Sequence, residues 1–506
     1  MDRSTESSDL SHSPVNVEEM TLDMMAALMR EGKISSESLV TQYIERIHQI
    51  DKTGPSLHSV LVVNPHAIDE ARALDVLWNS EKPLGPLHGV PVLIKDNIET
   101  AGPMPTTAGA LALKNNVCLQ DSPLVAQLRK AGAVILGKAN LSEWANFKSL
   151  KSSSGFSELG GQTKNPYFLD RNPCGSSSGS AVSVSANLTT VAVGTETDGS
   201  IVAPASHCGI VGMKPTVGLV PSKGIIPISH NQDSAGPMAR TVMDTALLLN
   251  ALVDPSHSKA RKDYAASLQF ASLEGKRIGI PQHADRFPES VRAVFEAAVG
   301  KMEQAGAEII RGLELPQEDS LGEAEFEILL YDFKHDLSEY LSGTSSSVEV
   351  KNIDELVAFN LANPSTLALF NQELIEMAAK KGSVEEPAYQ ASRQLVEKYG
   401  RKQGIDALST DYQLDALIAP TNTPSWLIDH ENGDNFEGGS SSPSAITGYP
   451  IITVPMGDTQ GLPLGLSFFS GAYQEQTLLE LAYCFERLIN ARKMPEFIAV
   501  HPSSRK

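Results

Sequence analysis

The sequence predicts an α/β protein built on a mixed, largely parallel sheet. Apolar runs of strand length alternate with amphipathic helical patterns along the whole chain, which is how βαβ layers read in sequence. The chain has 506 residues, 41% of them apolar and 20% charged, so it can bury a large core in the ordinary way of globular proteins. No internal repeat is visible, and no linker cuts the chain in two.

The elements follow in order. Residues 1–16, "MDRSTESSDLSHSPVN", are polar and read as a disordered tail. Residues 17–500 read as one domain that opens with a helical cap. "VEEMTLDMMAALMREG" and "SSESLVTQYIERIHQID" form that cap, and Leu39, Tyr43, Ile44 and Ile47 of the second share a face. "GVPVLIKDNI" is a strand, "SPLVAQLRKAG" a helix stopped by Gly132, and "AVILGKAN" the next strand. "TTVAVGTET" is another strand. "PESVRAVFEAAVGKMEQAG" places Val291, Val294, Phe295, Ala298 and Met302 on one helical stripe, and "AEIIRG" follows as a strand. "LDALIAPTN" and "YPIITVPMG" are late apolar strands. "SGTSSSVEV" and "ENGDNFEGGSSSPS" read as surface loops.

Composition narrows the function. The net charge is −20. Nucleic-acid binding needs Lys and Arg to neutralise phosphates, so the balance weighs against a nucleic-acid partner and serves solubility. The four cysteines, Cys118, Cys174, Cys208 and Cys484, include no C-x-x-C pair and signal neither a zinc site nor a disulfide framework. That usage suits a reducing, cytoplasmic setting. The polar N-terminus shows no signal-peptide core, and no apolar run approaches the ~20 residues of a membrane span.

The chemistry concentrates in "NPCGSSSGSA", Asn172 to Ala181. Gly175 to Gly179 fits G-x-S-x-G and nominates Ser177 as a nucleophile on a strand–turn–helix elbow. A helix can follow, but Asp170, Arg171, Asn172 and Pro173 stand where the apolar strand should end. The same residues read better as a Gly/Ser loop with one serine capping a helix. A second Gly/Ser segment, Gly194 to Gly218, begins as a strand ends. In it Gly199 lets backbone approach a ligand beside Ser200, and successive N–H groups there can form an anion-binding nest.

Together, "GSSSGSAVSVSANL" and "GTETDGSIVAPASHCGIVGMKPTVGLV" resemble the amidase signature family. The 24-residue separation of Ser176 and Ser200 matches its two catalytic serines. "GVPVLIKDNI" around Lys95 is similar to its lysine strand, and "LVAQLRKAGAVILGKANLSEWA" and "DSAGPMARTV" are similar to flanking segments. The resemblance spans roughly residues 20 to 490. "NLSEWANF", "GGQTKNPY", "CGSSSGSA" and "GTETDGSI" bring the chain nearest the peptide amidases of that family.

The resemblance implies a three-layer α/β/α fold and hydrolysis of carboxamides, with C-terminal peptide amides or similar small amides as substrates. It implies a Ser-Ser-Lys relay: Ser200 as nucleophile, Ser176 as proton shuttle, Lys95 as neutral base. It implies a cis bond between Gly175 and Ser176, and an oxyanion hole from the N–H groups of Thr197, Asp198, Gly199 and Ser200. No metal or cofactor is implied, and the active form is expected to be a monomer or homodimer. The chain departs from the family where Asp198 replaces a glycine, Val202 an arginine, and Cys174 a glycine. The expected contributors to substrate recognition are the loops "NFKSLKSSSGF" and "ENGDNFEGGSSSPS", where variation leaves the relay untouched. Four rivals stand beside this reading: a Ser-His-Asp triad through His207, a glutamine-hydrolysing amidotransferase subunit, an amidase for fatty or aryl amides, and a non-catalytic binding protein on the same scaffold.

Overall fold

A computed structural model describes residues 15–80, 82–261 and 263–505. All but the last two residues of the expected N-terminal tail lie outside the described residues. The strands are β1 (Val60–Val63), β2 (Pro91–Lys95), β3 (Val134–Ala139), β4 (Phe156–Ser157), β5 (Gly161–Gln162), β6 (Val191–Glu196) and β7 (Val211–Lys214). They continue with β8 (Ser234–Ala239), β9 (Arg277–Pro281), β10 (Glu308–Leu313), β11 (Ala416–Pro420), β12 (Ile451–Thr459) and β13 (Leu462–Phe469). β4 and β5 pair as a small hairpin, and the other eleven form one sheet in the order β1-β3-β2-β6-β8-β7-β12-β13-β11-β9-β10.

The sheet is mixed. β3, β2 and β6 run parallel, as do β11, β9 and β10. The pairs from β6 across to β11 are antiparallel, so parallel pairing reaches less far than the alternation implies. Two sets of helices pack among themselves and against the sheet, giving three α/β/α layers. One set is Ser178–Ser185 with Val202–His207; the other includes Pro123–Lys130, Val242–Leu252, Glu289–Gln304 and Glu475–Ile489. β2, β3 and β6 are buried along their whole length, which explains why they read as continuous apolar runs.

Local sequence sets the element ends. The Pro123–Lys130 helix starts with proline in its first turn, where the missing N–H costs nothing. It stops before Gly132, whose φ of +94° and backbone contact with His88 leave no room for a Cβ. Thr21 and Ser35 cap the two N-terminal helices by accepting from Met24 and Ser38 N–H. Leu39, Tyr43 and Ile47 are buried as the periodicity expects, while Ile44 is half-buried. One apolar core runs from Val17 to Phe485.

A helical block between β10 and β11 was not expected. It runs from Glu318–Ser342 through Asp406–Asp411. Part of it packs on Trp144 and Phe147, the segment that leads into the loop beside the candidate site. No described helix is long and apolar enough to cross a membrane.

Candidate active site

The site forms outside the carboxyl ends of the parallel strands β3, β2 and β6, where open α/β sheets place their ligands. Lys95 ends β2 and Glu196 ends β6. Ser176 follows the cis Gly175–Ser176 bond and leads into the Ser178–Ser185 helix. Ser200 lies between β6 and the Val202–His207 helix. The two serine segments run side by side, because the Ser177 N–H donates to the Ser200 carbonyl at 3.0 Å.

Three lysines, Lys95, Lys138 and Lys214, are fully buried. Lys138 donates to the Ile98 carbonyl at 2.6 Å and sits 3.4 Å from the Asp96 carboxylate. Lys214 donates to the carbonyls of Pro215 and Tyr449. Lys95 alone of the three contacts a serine: its Nζ is 2.8 Å from Ser176 Oγ, 3.0 Å from the Thr195 carbonyl and 2.9 Å from Thr195 Oγ1. Burial disfavours its ammonium and lowers its pKa to about 7; the negative charges of Asp233 and Glu196 oppose the shift.

The turn after β6 is fixed from below. Glu196 Oε2 accepts from the N–H groups of Ile201 at 2.7 Å and Val202 at 2.9 Å, closing the turn that carries Ser200. Thr197 Oγ1 donates to Asp233 Oδ1 at 2.6 Å. Asp233 also accepts from Ile228 and Ser229 N–H, and burial pushes its carboxyl up to about 6. Among the described residues, the N–H groups of Thr197, Asp198, Gly199 and Ser200 take no acceptor. Gly199 has a φ of +76°, and a Cβ there would stand 2.9 Å from Ser441 Oγ. The positive φ favours glycine at that position.

Asp198 and Gly199 open onto a cleft of about 330 Å³. Its walls come from both loops expected to build the pocket: Asn146, Leu150 and Ser154 from one, Asp434, Phe436 and Ser441 from the other. The Asp198 carboxylate, unexplained in sequence, accepts from Ser441 Oγ at 2.5 Å and Ser442 Oγ at 2.7 Å, and burial raises its pKa. It ties the second loop to the Ser200 turn. Asp434 joins the two loops by accepting from Ser154 N–H at 2.9 Å, Asn172 Nδ2 at 3.1 Å and Trp426 Nε1 at 3.1 Å.

The structure therefore brings Lys95, Ser176, Thr197, Asp198, Gly199 and Ser200 together. Ser177 sits behind them: its Oγ donates to the Thr195 carbonyl at 2.9 Å and caps no helix N–H. Val202, in place of the family arginine, is fully buried. Cys174 is buried in the cleft wall, and burial raises its thiol pKa well above the ordinary range. His207 is fully buried away from any carboxylate. Its Nε2 is 2.9 Å from the Thr423 carbonyl, and its Nδ1 is 3.1 Å from the Ala203 carbonyl and 2.9 Å from Asn422 Nδ2. Burial lowers its pKa to about 4. Thr195, Asp233 and Asp434 were not singled out in sequence. Thr195 and Asp233 lie within segments that carry the family resemblance, while Asp434 lies in a loop that reads only as polar.

This fold and site define an amidase. A family profile for Amidase matches residues 38–479, and the chain belongs to that family. It is similar to a solved peptide amidase in complex with the competitive inhibitor chymostatin, with a TM-score of 0.91 and 45% identity over 95% of this chain and 99% of that one. The native peptide amidase from Stenotrophomonas maltophilia matches at 44% identity and a TM-score of 0.90, with the same shares covered. A probable amidase of Arabidopsis thaliana is 38% identical over 96% of this chain and 93% of its own length. A glutamyl-tRNA(Gln) amidotransferase subunit of Moorella thermoacetica is 32% identical over 94% of this chain and 98% of its own.

Proposed function

We propose that the chain hydrolyses primary carboxamides through an acyl-enzyme on Ser200, with neutral peptide-like amides as substrates. The observation that carries this reading is the 2.8 Å contact between the buried Lys95 Nζ and Ser176 Oγ. A neutral amine has two N–H donors and one lone pair. The Thr195 carbonyl and Thr195 Oγ1 take the two donors, which leaves the lone pair for the Ser176 hydroxyl.

The steps follow from that polarity. Ser176 passes its proton to Lys95 as it takes the proton of Ser200, and Ser200 Oγ attacks the substrate carbonyl carbon. The N–H groups of the 197–200 turn receive the oxyanion; each such donor is worth about 2.7–4 kcal/mol of barrier. The C–N bond breaks, the relay returns the proton, and ammonia leaves. Water then attacks the ester by the same route, giving R-COOH and restoring Ser200. The balance is R-CO-NH2 + H2O → R-COOH + NH3.

Among the described residues, those lining the cleft include the carboxylates Asp198 and Asp434 and no lysine, arginine or histidine. Such a lining favours amides without a nearby carboxylate over free glutamine, and it favours release of the acid product. Ammonia release from peptide amides with added hydroxylamine tests the mechanism. An acyl-enzyme partitions to hydroxamate at the expense of acid while ammonia release continues. Acid as the sole product at every hydroxylamine concentration would contradict it.

A further inference from the structure

We infer that Leu150 and Phe436 are specificity-determining residues that favour substrates with an apolar side chain on the residue bearing the carboxamide. This rests on the reading of the cleft as an amidase site. The cleft of about 330 Å³ lies at the lower end of the range for small-molecule sites, so it takes the carboxamide-bearing end of a peptide and not a long stretch of chain. Leu150 and Phe436 both line it, yet they are 62% and 47% exposed. Large apolar groups left uncovered inside a cleft gain by covering, in proportion to the apolar area removed from water.

The two residues stand on opposite loops, and both loops are fixed before substrate arrives. The Phe436 ring meets Trp426 edge-on, with centroids 5.9 Å apart at 76°. Trp426 is held through its Nε1 by Asp434, and Asp434 in turn holds Ser154 of the Leu150 loop. Preorganised apolar walls bind without an ordering cost at the moment of binding. The cleft carboxylates Asp198 and Asp434 add a second preference: an acidic side chain in the same place meets like charge.

The experiment compares kcat/KM for ammonia release from acetyl-dipeptide amides ending in Phe, Leu, Gly and Asp. It uses the full chain, Leu150→Ala, Phe436→Ala and the double variant. The parent chain is expected to prefer Phe-amide over Gly-amide by roughly 10-fold or more, the scale of one apolar contact in a pocket, with Asp-amide slowest. Each single variant is expected to lower the Phe/Gly ratio several-fold, and the double variant to bring it close to one. Both side chains are largely exposed, so thermal unfolding serves as the control for folding. A ratio unchanged in the double variant, or equal losses on all four amides, overturns the inference while leaving the amidase reading intact. No ammonia from any of the four amides with the parent chain overturns the peptide-amide reading and the inference with it.

Discussion

Lys95 Nζ lies 2.8 Å from Ser176 Oγ, and the neighbouring Ser177 N–H donates to the Ser200 carbonyl at 3.0 Å. The Lys95 and Ser176 side chains are fully buried. In the proposed relay the pair acts on substrate through Ser200, so its titration is measurable as a change of rate with pH.

The first prediction is a pH profile. Lys95 acts as a base only when neutral, and burial brings its pKa to about 7. The kcat/KM of the free protein is therefore expected to rise with pH through about 7 and then level off. Lys95→Ala is expected to lose roughly 10²–10⁴-fold, the usual contribution of general acid–base catalysis. Lys95→Arg is expected to be as poor, since a guanidinium does not deprotonate in proteins. Initial rates of ammonia release between pH 5 and 10 check all three.

The same lysine imposes a stability cost with a defined pH dependence. Its pKa is near 10.5 unfolded and about 7 folded. The unfolded chain therefore binds the extra proton between those values, and stability rises with pH across that window. Below about pH 7 the cost is largest and constant; above about 10.5 it vanishes. Lys95→Met is expected to gain Tm relative to the parent at pH 6–7 and to lose that advantage steadily towards pH 10. Calorimetry at matched pH values measures it, and a Tm difference that stays flat would contradict the burial of a neutral lysine.

Asp198 is expected to act by positioning. Its carboxylate accepts from both Ser441 and Ser442, and an alanine in its place removes both bonds. Asp198→Ala is expected to loosen the 431–444 loop, raising KM by about 5-fold or more, the scale of two lost hydrogen bonds of about 0.5–1.5 kcal/mol each. The N–H groups of the 197–200 turn remain, so kcat is expected to fall less than KM rises. Steady-state kinetics on one peptide amide separates the two.

His207 is expected to matter for stability and little for chemistry. It is buried, holds Asn422 and Thr423, and meets Trp426 edge-on at 5.3 Å. His207→Ala leaves a cavity and unpaired polar groups, at a cost of about 2–4 kcal/mol. Activity below the lowered Tm is expected to stay far above that of Ser200→Ala. Activity as low as that of Ser200→Ala in a folded protein would restore the triad through His207.

Much of this was legible in the sequence because the two candidate serines lie in dense motifs and the candidate lysine ends an apolar strand. β2, β3 and β6 read as strands since both of their faces are buried. β8 did not: it reads Ser-Ala-Gly-Pro-Met-Ala, and glycine and proline argue against a central strand, yet it lies buried between β6 and β7. The 25-residue helix Glu318–Ser342 was missed for a different reason. Leu330, Phe333 and Leu337 face one small core while Leu321, Ile328 and Tyr331 face another, so no single apolar stripe marks it. Ser176 and Ser200 were identifiable through the motifs. The partners Thr195, Asp233 and Asp434 depend on tertiary placement, which spacing along the chain does not show.

The most direct measurement of the central claim is the site of covalent labelling by a fluorophosphonate. It is mapped by fragmentation of the tryptic peptide Asn172–Lys223, which contains both serines and keeps the Lys214–Pro215 bond intact. The relay predicts a single adduct on Ser200 in the parent chain, with Ser176 unlabelled and the labelling rate in Lys95→Ala lowered by roughly 10²-fold or more. An adduct on Ser176, or labelling of Ser200 at the parent rate in Lys95→Ala, would contradict it.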